Sequence, residues 1–322
     1  MTEPDFTLLA AVQAWGPAIK PVMTAFSSAG YGSIYMAVIA FAYWCVSPSH
    51  ALRLAALLLL SSCINTLVKI VILQPRPYWL RPELYTGSID TAAGMPSGHA
   101  QSAAAFWGLL ASFTRRPLGW AVCVLMIAGI CVSRIYFGVH FPSQIVAGLA
   151  LGLALVVVFR RVEGPVRRAF LARSLTDQRL LLLAGWLSLV GLGFALQSAV
   201  AAGWTMAPEW AANAAALHPG VQIAPLQINS LVRDASLLLG FGLGALALRD
   251  VTVRYAGLRA ALARFVPGFA VFAVFWLGTG ALLKGAPEPV QLAADALRGL
   301  LAGLWFTWGW PLALRRFYKP QA

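Results

Sequence analysis

Three short stretches of the 322-residue chain concentrate residues that can hold an anion and move a proton. In the first, KIVILQPRP, Lys69 and Arg76 stand seven residues apart and Pro77 follows. Seven helical steps return to nearly the same face, so both cations address one side, and Pro75 and Pro77 end the helix just beyond them. In the second, GMPSGHA, the residues Pro96, Ser97, Gly98 and His99 open an apolar run. A helix N-terminus presents unpaired N–H groups and the positive end of its dipole, which suit an anion. Ser97 adds a hydroxyl donor, and Gly98 lets a ligand come close to the backbone. In the third, SRIYFGVHFPSQ, Arg134, His140 and Gln144 flank a break supplied by Gly138 and Pro142. Each stretch also has a plainer reading: basic residues snorkelling to headgroups, a serine N-cap, and histidines satisfied inside a bundle. Lys69 is hardest to explain that way, because an ionisable residue inside an apolar span is a functional candidate by default.

Taken together the three stretches predict phosphoryl chemistry. No acidic residue lies between Asp5 and Glu83 or between Asp90 and Glu163, so no carboxylate is expected beside Lys69, Arg76 and Arg134. Magnesium or calcium would want several carboxylates, and a carboxylate acid–base pair would want two. Neither is expected here, and no metal or other cofactor is called for. Cations without counter-ions are costly at a membrane face unless an anion is the ligand. A phosphoryl group fits, with arginine as a bidentate clamp and lysine as a point charge. One imidazole can attack phosphorus while the other protonates the leaving oxygen. The cations and the helix N-terminus would stabilise charge on the equatorial oxygens.

The elements that must position these residues are membrane helices. Of the chain, 60% is hydrophobic and only 11% charged, against about a quarter charged in a soluble domain. That balance excludes a soluble globular protein, a disordered chain and a coiled coil. Apolar runs of about 20 residues suffice to span a bilayer. Nine candidates appear, near 23–46, 52–74, 98–114, 117–136, 141–159, 180–202, 229–248, 265–284 and 297–314. The expected fold is therefore an all-α polytopic bundle. Its divisions are an interfacial segment 1–22, a five-span core 23–160 carrying the three stretches, a basic loop 161–179 and a four-span region 180–322 of no assigned role. The net charge of +13 would in a soluble protein suggest nucleic acid, but the basic residues follow topology instead. Sixteen of the 24 fall in loops that share one side, which marks the cytoplasm. The C-terminus is then cytoplasmic, while the N-terminus and all three stretches are extracytoplasmic, as in a bacterial inner membrane. Cys45, Cys63, Cys123 and Cys131 lie in apolar runs with neither disulfide nor zinc spacing.

Lys69-x6-Arg76-Pro77, Pro96-Ser97-Gly98-His99 and Ser133-Arg134-x5-His140 resemble the three-part signature of the type-2 phosphatidic acid phosphatase and vanadium haloperoxidase superfamily. The resemblance spans roughly 50–160 and implies a metal-independent phosphatase working through a phosphohistidine. His140 would be the nucleophile and His99 the general acid and then base. Lys69, Arg76, Ser97, Gly98 and Arg134 would bind phosphate. The family commonly places Asp four residues after the nucleophile, where this chain has Gln144. A neutral amide can orient the imidazole but cannot stabilise an imidazolium. Glucose-6-phosphatases are similar here, with His-Phe-Pro-x-Gln and an Arg-Pro-Tyr-Trp run matching Arg76-Pro77-Tyr78-Trp79. Tyr78 and Trp79 are expected to line the substrate or to sit in an interfacial aromatic belt.

The leading expectation is an integral-membrane hydrolase of extracytoplasmic lipid phosphates or pyrophosphates. Alternatives are a sugar-phosphate phosphatase, a lipid phosphotransferase and a silent binder of phosphorylated lipids. Membrane lipids are the other expected partners, without nucleic acid.

Overall fold

The computed structural model describes residues 2–87, 90–249, 257–283 and 285–317. Arg254, Lys284 and Lys319, which entered the charge asymmetry, lie outside the described residues. Among those described, all regular structure is helical. This follows from the composition, since inside a bilayer a backbone must satisfy its own N–H and C=O groups.

In chain order the helices are α1 (Glu3–Gln13), α2 (Lys20–Ala29), α3 (Gly32–Phe41), α4 (Pro48–Ile72), α5 (Pro77–Leu80), α6 (Gly98–Ala111) and α7 (Pro117–Tyr136). They continue with α8 (Pro142–Leu171), α9 (Leu175–Ala201), α10 (Pro208–Leu217), α11 (Asn229–Ala247), α12 (Leu258–Leu282), α13 (Glu288–Leu304) and α14 (Trp310–Phe317). Six stretches are long and apolar enough to cross a membrane: Pro48–Leu80, α7, α8, α9, α11 and α12. A seventh results if the pair Pro17–Ala29 and Gly32–Val46, bent by 61°, counts as one span. Among the described residues, then, six or seven of the expected spans are long and apolar enough by this measure. The expected span 98–114 is a helix of 14 residues, which at 1.5 Å per residue covers about 21 Å of a core about 30 Å thick. The expected span 297–314 lies in one unbroken helical stretch, in which α13 runs through a π-helical turn at Trp305–Gly309 into α14.

The chain packs as two compact units. One comprises Met1–Ile34, Ile64–Arg161 and Gly193–Ile228, and the other Tyr35–Cys63, Val162–Leu192 and Asn229–Ala322. All three motif stretches belong to the first unit, and so does 193–228 from beyond the basic loop. Inside that unit α8 lies directly on α6. A Cβ on Gly148 would stand 2.5 Å from the Ser97 carbonyl oxygen, and one on Gly152 equally close to that of Gln101. Glycine is also required at Gly138, where φ is 63° and a Cβ would run into the Leu84 carbonyl. α10 packs on α5 through Trp210 against Trp79, ring centroids 5.8 Å apart, and Asn213 Nδ2 donates to the Trp79 carbonyl (2.9 Å). In the second unit Gly240, Gly299 and Gly303 let α11 and α13 meet backbone to backbone. An Arg233–Asp234 ion pair forms there at 2.9 Å, and Ser62 donates to the same carboxylate at 2.6 Å.

Because Gly148 faces a carbonyl and Gly185 meets nothing within 4 Å, the two should respond differently to alanine. Gly148→Ala is expected to destabilise by about 1–3 kcal/mol, the usual range for overpacking. Gly185→Ala is expected to leave the melting temperature in detergent unchanged. Equal melting temperatures for both variants would contradict the α6–α8 contact.

Candidate active site

The geometry begins where α4 stops. Lys69 sits in its last turn, Leu73 turns the chain with φ at 50°, and Pro75 and Pro77 prevent the helix from resuming before α5. Arg76 is thereby held extended between two prolines, with φ −83° and ψ 159°. The chain returns along residues 90–97. Gly94 N donates to the Gln74 carbonyl (2.7 Å), and the Lys69 ammonium donates to the Ala93 carbonyl. Ser97 caps α6, accepting from Ala100 N at 3.5 Å, while its own N–H goes to the Gln144 carbonyl at 3.0 Å. Asn65 on α4 fastens the same loop by donating to Pro96 O (3.2 Å) and to Gln101 Oε1 (2.7 Å). α7 delivers Arg134 in its last turn, and the break before α8 delivers His140.

These elements bring the motif residues together. Arg76 Nη1 lies 3.3 Å from His140 Nε2, and His140 Nδ1 lies 3.1 Å from Gln144 Oε1. The amide is oriented by its other contacts, since Nε2 donates to Pro75 O (2.8 Å) and Oε1 also accepts from Phe141 N (3.3 Å). Oε1 can therefore only accept from the imidazole. The proton sits on Nδ1, and Nε2 carries its lone pair toward Arg76. Gly94 makes room for this arrangement, because a Cβ there would stand 2.5 Å from Gln144 Nε2. Arg134 Nη1 donates to Ser27 Oγ at 2.6 Å, while its Nε is buried without a hydrogen-bond partner. His99 Nε2 is likewise buried and unpartnered. Its ring stands edge-on to Tyr31 (5.2 Å between centroids) and against Gly30 at the α2–α3 bend.

Three expectations need correction. The first is the absence of a carboxylate. Asp90 Oδ2 stands 2.6 Å from Arg76 Nη2, and Asp5 accepts from Ser143 N (3.0 Å) and Ser143 Oγ (2.9 Å) at the start of α8. Both carboxylates arrive from outside the motifs, where spacing alone did not link them to the cations. The second concerns Tyr78 and Trp79. Both are sealed from solvent, so neither ring lies in an interfacial aromatic belt. Tyr78 Oη instead bonds the Asp90 backbone, donating to O (2.7 Å) and accepting from N (3.0 Å). Third, α4 ends at Ile72, so Arg76 shares no helix face with Lys69 and is held in extended backbone beyond the helix.

Electrostatics follow from burial. Removal from water, reinforced by Arg76, Lys69 and Arg134, holds His140 well below the ordinary imidazole range, so it is neutral near pH 7. Burial would raise Asp90, but Arg76 and then Lys69 outweigh it and bring the carboxyl down to about 2.

This constellation coincides with what the chain resembles as a whole. The PAP2 superfamily profile matches residues 50–168, and a second profile, the PAP2 superfamily phosphatase transmembrane extension, matches 232–321. The chain carries a PAP2 superfamily domain and the PAP2 phosphatase transmembrane extension. Over 212 residues it is 28% identical to glucose-6-phosphatase catalytic subunit 1 of Mus musculus, covering 56% of the chain and 57% of that protein. Against glucose-6-phosphatase 2 of Homo sapiens it is 24% identical over 215 residues, covering 56% and 58%. The chain thus spans about half the length of the curated relatives it matches. A transmembrane PAP2-type phosphatidylglycerolphosphate phosphatase from Bacillus subtilis superposes with a TM-score of 0.44 at 19% identity, covering 51% of this chain and 89% of that one.

A depressed imidazole has a consequence for stability. The unfolded chain takes up a proton near its ordinary pKa of about 6.5, and folded His140 does not. Stability is thus complete above that pH and is lost as pH falls below it. Asp90 stays ionised throughout this window and adds nothing to the slope. Thermal melts of detergent-solubilised protein from pH 7.5 to 5 should show the decline, with a shallower slope in His140→Asn. A slope unchanged by that substitution would contradict a buried neutral His140.

Proposed function

We propose that this chain is an integral-membrane phosphatase that hydrolyses the phosphate or pyrophosphate group of a lipid on the extracytoplasmic side through a phosphohistidine at His140. The observation that carries the proposal is the set of nitrogens around one point. His140 Nε2 has its lone pair directed by Gln144, Arg76 Nη1 lies 3.3 Å from it, and His99 Nε2 and Arg134 Nε are buried without partners. Buried polar atoms are normally paired, so two orphans within one cationic cluster fit an anionic ligand.

In this reading Nε2 of His140 attacks phosphorus while the bond to the leaving oxygen breaks, and His99 donates a proton to that oxygen. Neutral His99 then takes a proton from water as its oxygen attacks phosphorus. The phosphorus–Nε2 bond breaks, which releases phosphate and restores both imidazoles. Lys69, Arg76 and Arg134 would offset charge on the equatorial oxygens, as would the first-turn N–H groups of α6 at Gly98 and His99, which a helix leaves unpaired. Gln144 would keep His140 in the Nδ1–H tautomer. Being neutral, it leaves stabilisation of a positive imidazole to the phosphoryl group itself.

A second reading, a sugar phosphate as substrate, is favoured by the names of the sequence relatives and by Gln144. A panel separates the two. Purified protein would be assayed for phosphate release from phosphatidate, a polyprenyl pyrophosphate and glucose 6-phosphate with EDTA present, and kcat/KM compared. His140→Ala is expected to lose more than about 10³-fold on the preferred substrate. His99→Ala with p-nitrophenyl phosphate, whose leaving group needs no acid, is expected to give a burst of one nitrophenolate per enzyme followed by slow turnover. Release from no substrate would sink the hydrolase reading, and activity surviving in His140→Ala would overturn the nucleophile.

Sidedness has its own test. A reporter fused to the C-terminus should be active only in the cytoplasm, while one inserted after Thr2 should be accessible outside. The reverse pattern would place the site on the cytoplasmic face.

A further inference from the structure

Arg76 has every donor engaged. Its Nε donates to Ala92 O (2.8 Å), Nη1 to Val139 O (3.1 Å) and Nη2 to Asp90 Oδ2 (2.6 Å), with Ala93 O at 3.5 Å. A phosphoryl group on His140 Nε2, 3.3 Å from Nη1, must therefore share this guanidinium with partners already in place. The carbonyls of Ala92, Ala93 and Val139 are neutral. Asp90 is the charged partner, and its side chain is 44% exposed while that of Arg76 is fully sealed. It is the group that an incoming dianion meets as a rival of like charge.

We propose that Asp90 is a built-in counter-ion that competes with the phosphoryl group for Arg76 and so sets how tightly the site retains inorganic phosphate. The proposal rests on the phosphatase reading for the identity of the anion. The surroundings support it, because the carboxylate is held in place from several directions. Asp90 Oδ1 accepts from Ala92 N (3.0 Å), and Tyr78 Oη bonds both its backbone atoms. The next residue is pinned by Gln227 Nε2 to Thr91 Oγ1 (2.6 Å) and by Ala224 N to Thr91 O (2.9 Å). Residues 224–227 lie between the two matched regions, 50–168 and 232–321. A stretch outside both family profiles thus helps to place a carboxylate that bears on Arg76. The physical benefit is turnover. Lys69, Arg76 and Arg134 without a counter-ion would bind product phosphate and ground state too well, and binding that is equal in ground and transition states does not raise kcat. A carboxylate that takes back Nη2 as phosphate leaves would lower the cost of release.

Asp90→Asn removes the charge but keeps an oxygen that can accept from Ala92 N, and Asp90→Glu keeps the charge. Binding of inorganic phosphate and of orthovanadate to purified protein would be measured by ligand-induced thermal shift, which needs no turnover. Asp90→Asn is expected to bind both anions about tenfold more tightly than wild type, or about 1.4 kcal/mol, with Asp90→Glu close to wild type. Gln227→Ala, which frees Thr91 but leaves the carboxylate, is expected to tighten binding by a smaller factor and serves alone if Asp90→Asn does not fold. Equal or weaker binding in Asp90→Asn, or in Gln227→Ala where it stands alone, overturns the proposal and leaves Asp90 as loop scaffolding. So does failure of wild type and variants to bind either anion. Tighter binding in a protein that hydrolyses nothing sustains the proposal while the hydrolase reading fails. Hydrolysis with unchanged phosphate affinity does the opposite.

Discussion

A guanidinium taken out of water must give each of its N–H groups an acceptor, since an uncompensated buried charge costs several kcal/mol. Arg76 meets that demand by drawing two separate parts of the chain to one point: Ala92 and Asp90 from the returning loop, and Val139 from the break between α7 and α8. The two prolines around it keep its own backbone extended, so the side chain points into the unit instead of continuing the face of α4. His140, next in the chain after Val139, then stands with Nε2 3.3 Å from Arg76 Nη1. The arrangement of His140, Arg76 and the loop thus follows from satisfying one buried cation.

Gln144 extends the same logic to the proton. Its amide is fixed by Pro75 and Phe141, and this fixes which imidazole nitrogen is protonated. The cationic surroundings favour a neutral imidazole, and a neutral imidazole is what an attacking nitrogen requires. The expected departure from an aspartate at this position therefore matches the electrostatics of the site. A carboxylate is still present, but it stands on the other side of the cluster, against Arg76 Nη2 instead of His140 Nδ1. Charge that could favour the imidazolium is placed where it neutralises the clamp.

Much of the site was legible because its spacing is local. Ser97 and His99 open α6, and His140 and Gln144 are four residues apart across the α8 start, so helix-start signals and periodicity suffice to group them, while Lys69 and Arg76 are close in sequence although α4 ends at Ile72 and gives them no common face. Asp90 was not legible in this way. It is 14 residues from Arg76 in a stretch without regular structure, and only the return of that stretch over the end of α4 makes them neighbours. The surroundings of Tyr78 and Trp79 depend on distant segments for a related reason. An aromatic pair after an arginine reads as a surface that recognises something, yet α10, over a hundred residues later, covers Trp79 and leaves Tyr78 to hold the loop. Hydropathy likewise does not reveal where a helix stops within an apolar run, as α6 does at Ala111 within 98–114.

The amino-acid sequence alone determined that this is an all-helical membrane protein, that its catalytic candidates are Lys69, Arg76, Ser97, His99, Arg134 and His140, and that Gln144 follows the last of them by one helical turn. Those are matters of composition and of residues close along the chain, which local physics decides. The tertiary structure decided the tautomer of His140, the counter-ion of Arg76, the burial of Tyr78 and Trp79, and the membership of 193–228 in the unit that holds the site. Each of these depends on which distant segments come to lie side by side, and a buried charge or a buried ring acquires its partner only when they do.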